Sequence, residues 1–290
     1  MALPAEFKAH TALVHGLAVS PDGKHLATAG FDAAIRLWEV DTGKEARALT
    51  GHVGPVYAVA FTRDGQTLIS CGDDRSLRLW NPADGKSIKE LKGHGGVAAG
   101  LAVTPDGRRV ASASADKTVR VWELPEGQMK QLGTHGASVY AAAFASNGER
   151  LASVGADALV KVWDVAGGKE LKALKGHDGP VSAVAYLADG PLSAGFDRTL
   201  RLWDADGGTE KSKLGPLPDD PYGLAVSKDG KRLAVAGYGG HVAVWDVAEG
   251  KTVFGARHKS PAYCVAFSAD GASLVSGHDD GRIRVTPIPG

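Results

Sequence analysis

Apolar and polar residues alternate along this chain in bursts of four to eight, and no stretch carries the long 3.6-residue period of an amphipathic helix. The segment from Val56 to Leu91 shows the unit. Val56 to Phe61 is rich in β-formers and is followed by the turn Thr62-Arg63-Asp64-Gly65. Gln66 to Cys71 reads as a second strand, ended by Gly72-Asp73-Asp74-Arg75. Ser76 to Asn81 alternates leucine and tryptophan with polar residues. Pro82-Ala83-Asp84-Gly85 turns the chain again, and Lys86 to Leu91 forms a polar outer strand. Short runs between Gly, Pro and Asp turns predict an all-β chain.

The unit recurs. Trp38, Trp80, Trp122, Trp163, Trp203 and Trp245 are 42, 42, 41, 40 and 42 residues apart. Asp22-Gly23, Asp64-Gly65, Asp106-Gly107, Asn147-Gly148, Asp189-Gly190, Asp229-Gly230 and Asp270-Gly271 keep the same beat. The seventh tryptophan position falls on Thr286, so there are seven repeats and the last is degenerate. Gly51-His52, Gly93-His94 and Gly176-His177, together with Trp163-Asp164, Trp203-Asp204 and Trp245-Asp246, carry a resemblance to the WD-repeat (Trp-Asp repeat) family over the whole length. It implies a single seven-bladed β-propeller over residues 1–290 with four antiparallel strands per blade. The approximate blades are 11–50, 53–92, 95–133, 136–175, 178–214, 219–256 and 259–290 plus 1–9.

The resemblance further implies a hydrogen-bonded His, Ser/Thr, Asp and Trp in each blade. The positions are His10, Thr28, Asp32 and Trp38; His52, Ser70, Asp74 and Trp80; His94, Ser112, Asp116 and Trp122; His135, Ser153, Asp157 and Trp163; and His177, Ser193, Asp197 and Trp203. Two blades depart. Blade six has Leu217, Val235 and Gly239 in place of the polar members and keeps only Trp245. Losing all three together is expected to cost little, because no partner is stranded. Blade seven has His258, Ser276 and Asp280 but Thr286 for the indole, so another donor or a water must complete its set. The sequence runs out after the third strand of blade seven, Arg282 to Thr286. Leu3 to Ala9 stands before His10 as an outer strand would, so it is expected to complete that blade and close the ring.

Composition narrows the function classes. Thirty-nine glycines are about twice ordinary usage of roughly 7%, as a turn-rich chain needs. Lys+Arg and Asp+Glu balance at 33 each, which gives no global basic field for nucleic acid or an anionic membrane. No apolar run reaches the roughly 18 residues of a membrane span. Met1 to His10 does not read as a secretory leader, which favours the cytoplasm unless a leader has been removed. Cys71 and Cys264 lie in strands of non-adjacent blades and read as buried small residues rather than a redox pair.

Catalysis is not expected. Ser, His and Asp recur together, but five copies suit a buried network better than one nucleophilic centre. No Ser sits in a Gly-x-Ser-x-Gly elbow. The acidic turns lack calcium-loop spacing, and Gly237-Tyr238-Gly239-Gly240 is not followed by the helix a phosphate site needs. His15, His25, His241 and His278 read as surface or loop histidines, with no metal and no cofactor. Binding is expected on loops of the rigid scaffold. In the family the residues before each turn Asp, and those flanking the first apolar residue of the inner strand, line a top face around the channel. Here Phe31, Tyr57, Tyr140, Phe196, Tyr222, Tyr238 and Tyr263 fall on it, with Asp73, Asp220 and Asp279 adding negative charge. Such rings either anchor a partner or simply pack together and close the channel. The proline-rich run Leu214 to Tyr222 is either a contact loop or repeat decay. The function expected is a monomeric, non-catalytic scaffold for a protein or peptide partner, with no nucleic acid or membrane. A domain of a larger regulatory or enzymatic protein and a small-ligand propeller are the alternatives.

Overall fold

Each inner strand begins at a loop carrying Gly, Ala, Pro or Ser, and in every blade but the fifth it ends in a hairpin turn held by its own side chains. In blade one the Asp22 carboxylate accepts from Ser20 Oγ at 2.6 Å and from Lys24 N at 3.0 Å, while Gly23 adopts φ 73°. Only glycine enters that left-handed region without strain, which explains the recurring Asp-Gly. Blade five is two residues shorter. Its inner strand Val181–Leu187 pairs directly with Gly190–Gly195, Leu187 opposite Gly190.

The computed structural model describes residues 3–289; residues 1, 2 and 290 of the expected domain lie outside the described residues. The described chain forms seven four-stranded antiparallel sheets and contains no helix, hence none long and apolar enough to cross a membrane. The seven inner strands pack neighbour to neighbour around a channel, and Val14–Val19 of blade one meets Ala262–Phe267 of blade seven.

Alternation along the strands becomes burial on both sheet faces, because every blade is sandwiched between two others. Seven separate hydrophobic clusters result, each shared by adjacent blades. Ile35, Leu37 and Leu49 of blade one pack with Val56, Leu68 and Trp80 of blade two. Val160, Val162 and Leu174 of blade four pack with Val181 and Trp203 of blade five. The second strands, such as Leu68–Gly72, are therefore wholly buried, whereas outer strands such as Ser87–Lys92 are largely exposed. Both cysteines are buried, and burial raises their thiols, Cys264 to about 12.

The ring closes as the sequence register anticipates. Glu6–Lys8 pairs antiparallel with Arg282–Pro287, Phe7 opposite Ile283, and Val285 N donates to Ala5 O at 2.8 Å. Leu3, Ala9 and Ile283 of this blade then share a cluster with Val14, Leu26 and Trp38 of blade one.

Candidate functional site

A buried polar set in each of five blades holds the loops that carry the mouth. In blade three His94 Nδ1 lies 2.9 Å from Asp116, His94 Nε2 lies 2.7 Å from Ser112 Oγ, and Trp122 Nε1 donates to the same Oγ at 2.8 Å. A carboxylate only accepts, so Nδ1 carries the imidazole proton. The chain therefore runs from indole N–H to hydroxyl to Nε2, and from Nδ1–H to carboxylate. The same connections join the sets anchored on His10, His52, His135 and His177. The aspartate also accepts from the backbone two residues on (Thr118 N to Asp116 at 2.9 Å), which holds the intervening Lys117 at φ 70°. A fifth member went unread in the sequence, although a cation stands two residues before most of the tryptophans. Arg36 and Arg201 lie 3.0 and 3.2 Å from Asp32 and Asp197. In blade four Lys161 turns instead to Glu170.

Blades six and seven are rewired rather than merely depleted. In blade six Asp219, on the loop before the inner strand, sits where other blades place the histidine ring. His241, from the opposite hairpin, pairs with it at 3.0 Å. The expectation that the polar set vanishes without a stranded partner is corrected here: Val235 offers no hydroxyl, and the buried Trp245 Nε1 has no partner. In blade seven His278 occupies the position that is glycine in most blades, where a Cβ on Gly30 or Gly195 would meet the ring of His10 or His177. His278 Nε2 takes Ser276 Oγ at 2.8 Å, and its Nδ1 donates to Ser260 O at 3.0 Å. The displaced His258 lies 3.4 Å from Thr286 Oγ1 instead of bonding Ser276 as expected. Nor are His15, His241 and His278 loose loop histidines: His278 is fully buried and His241 is paired.

These networks give stability a defined pH dependence. Burial lowers the pKa of His10, His52, His94, His135, His177 and His15 below 6.5, and that of His278 to about 4. The unfolded chain therefore binds protons first as pH falls, so their contribution is intact above about pH 6.5 and is lost below it. Burial works to raise the Asp32 carboxyl, but His10, Thr11 N–H and Arg36 outweigh it and hold it at about 2. Its share is lost only at still lower pH. The melting temperature should be flat from pH 8 to 7 and fall steadily from about pH 6.5 downward in a buffer series; a rise on acidification would contradict this account.

At the channel mouth every inner strand carries a β-bulge after its first residue. A bulge inserts one residue and re-aims its side chain. The residues so re-aimed are His15, Tyr57, Ala99, Tyr140, Ser182, Tyr222 and Tyr263. The residue before each turn Asp is tied to the same place, as Phe31 N donates to Leu13 O at 2.9 Å and Phe196 N to Pro180 O at 2.8 Å.

The rings expected on this face meet in a crescent over blades two, one, seven, six and five. Phe31 and Tyr57 are 5.1 Å apart, and both pack on His15. Tyr263 bridges His15 to Tyr222, which meets Phe196 and Tyr238. Tyr140 stands apart on blade four, and it and Tyr238 are 36% and 54% exposed. Opposite the crescent, Ala99, Ala115 and Ser138 are small. The rings therefore pack together yet leave a cavity of about 380 Å³ open between Tyr140, Tyr57, Phe196 and Tyr222. His15 Nδ1 donates to Tyr57 O at 2.8 Å, and burial keeps the ring neutral. Burial and then Asp279 raise the Tyr263 hydroxyl to about 12. Asp73 and Asp279 are exposed and make no side-chain ion pair among the described residues, while Asp220 is neutralised by Arg198 at 2.9 Å. No group of three or more His, Cys, Asp or Glu is arranged to hold a metal among the described residues.

Comparison with known proteins agrees with the repeat. The family model described as WD domain, G-beta repeat matches seven stretches: residues 2–39, 43–81, 85–123, 127–164, 168–204, 214–246 and 251–286. The chain is similar to the Periodic tryptophan protein 2 homolog of Schizosaccharomyces pombe, 34% identical over 86 residues, which is 29% of this chain and 10% of that protein. It is similar to the Notchless protein homolog of Arabidopsis thaliana, 47% identical over 45 residues, 16% of this chain and 10% of that protein. It is also similar to WD repeat-containing protein SL1-17 of Schistosoma mansoni, 37% identical over 67 residues, 23% of this chain and 22% of that protein. The chain thus spans about a tenth to a fifth of the length of the curated relatives it matches.

Proposed function

The chain belongs to the WD-repeat family, and from that premise we propose that it is a non-catalytic interaction scaffold that receives a protein or peptide segment at the channel mouth. The matches to relatives cover one or two blades each, so they speak to the blade and carry no partner across.

One observation supports the reading above the others. The mouth combines a rigid aromatic crescent with an open cavity of about 380 Å³. No hydroxyl of Tyr57, Tyr140, Tyr222, Tyr238 or Tyr263 has a hydrogen-bond partner among the described residues. Large rings with few rotamers and a free polar tip contribute contact area at low entropic cost, the signature of an interface anchor. The Ser-His-Asp sets are spent on one another in the blade interiors, which argues against a nucleophilic role for them.

The test is affinity purification from the native host with the wild-type chain and with Tyr140→Ala/Phe196→Ala. Both side chains line the cavity; Tyr140 makes no ring contact among the described residues and Phe196 meets only the Tyr222 ring there, so the fold should persist. Partners should drop at least about tenfold, as the loss of two anchors of roughly 1–2 kcal/mol each implies. Recovery of all partners at wild-type levels would sink the proposal.

A further inference from the structure

We propose, resting on the mouth being the binding site, that its occupant is an extended basic peptide, and that the mouth takes the guanidinium or ammonium of that peptide. His15 Nδ1 is committed to Tyr57 O at 2.8 Å, so in the neutral ring Nε2 keeps a lone pair, and it has no partner among the described residues. His15 lines the cavity and packs against Phe31, Tyr57 and Tyr263. The Asp73 and Asp279 carboxylates flank blade one from blades two and seven, and neither has an ion-pair or hydrogen-bond partner among the described residues. The nearest cations along the chain, Arg75 and Arg282, pair with neither, and Arg282 bonds Glu6 instead. Asp73 and Asp279 act electrostatically on the Tyr57 and Tyr263 hydroxyls.

The contrast with the rest of the molecule makes those two acids informative. Asp32, Asp197 and Asp280 each have an arginine of the same blade, and Asp220 has Arg198. Asp73 and Asp279, beside the aromatic mouth, have no cation partner among the described residues. A free imidazole acceptor, aromatic faces and unpaired carboxylates close by suit a ligand that donates hydrogen bonds and carries positive charge. An anion would meet repulsion from those carboxylates. Arginine fits best, since a planar guanidinium stacks on a ring while its N–H groups reach an acceptor edgewise.

The experiment is selection of a random linear peptide library, displayed on phage, against the full chain, with synthetic copies of the enriched peptides titrated by calorimetry. The expected result is enrichment of Arg or Lys at one position. Exchanging that residue for norleucine should weaken binding about tenfold, and Asp73→Asn/Asp279→Asn should do the same while flattening the salt dependence, in line with a desolvated cation–π and charge contact. Both substitutions are at exposed turn positions, and an unchanged melting temperature confirms that the fold is intact. Enriched peptides without a basic residue whose binding is lost in Tyr140→Ala/Phe196→Ala overturn the cation assignment and leave the mouth as the site. Peptides indifferent to Tyr140→Ala/Phe196→Ala, or no enrichment at all, overturn both.

Discussion

Removing residues through Ala9 lowers the melting temperature by about 10 °C or more. The segment supplies the fourth strand of blade seven, Glu6–Lys8, and three side chains to the cluster between blades seven and one. Leu3 and Ala9 are 7% and 4% exposed, and the Phe7 ring meets Trp38 edge-on at 4.8 Å. Burial of a Leu or Phe side chain contributes about 1.5–3 kcal/mol. Glu6 also pairs with Arg282 at 2.9 Å and Arg284 at 2.8 Å, and half-exposed pairs of this kind add at most about 1 kcal/mol. A loss of about 5 kcal/mol corresponds to roughly 10–20 °C in a chain of this size. The deletion further leaves Arg282–Pro287 as an open edge, a template for pairing with other chains. Scanning calorimetry reads the shift, light scattering reads the association, and an unchanged melt with no self-association would refute this closure. Phe7→Ala separates packing from pairing, because it keeps the strand and removes only the ring.

The parts of the fold that could be read from the sequence are those every blade needs for the same reason. A blade sandwiched between two others must bury both faces, turn at fixed points and satisfy an indole, so the same residues return every forty or so positions. Reading by aligned position fails where another residue reaches the same space from a different direction. Asp219 and His241 exchange the loop and hairpin roles of histidine and aspartate in blade six, and His278 replaces a glycine and displaces His258 in blade seven. The signal for the second was present, since a ring stands at position 278 where most blades have glycine. Which rings share the mouth was also readable, because their spacing follows the repeat. The cavity was not, because it depends on small residues at Ala99, Ala115 and Ser138 leaving room opposite the crescent. The pairing of Asp220 with Arg198 escaped for a related reason: it links two blades whose contact the repeat pattern alone does not specify.

Ser112→Ala is expected to cost about 2–5 kcal/mol, a fall of roughly 10 °C in melting temperature, although it deletes a single oxygen. Ser112 is fully buried, and its hydroxyl serves two partners at once: it donates to His94 Nε2 at 2.7 Å and accepts Trp122 Nε1–H at 2.8 Å. Alanine leaves both without a partner in an interior where water does not reach them, and each such group costs about 1–3 kcal/mol. The surface-charge pairs of the same blade would give less than 1 kcal/mol on removal. Ser112→Thr keeps the hydroxyl, as Thr28 does for Trp38 at 3.0 Å in blade one, and should melt near the wild type. Blade six offers the reverse experiment. Trp245 Nε1 lies buried beside Val235 with no acceptor, and Val235→Thr places a hydroxyl there with little change in volume. That variant should gain about 1 kcal/mol, a few degrees of melting temperature. If Ser112→Ala melts with the wild type and Val235→Thr below it, the hydroxyl is not what joins indole to imidazole, and the blades are held by apolar packing alone.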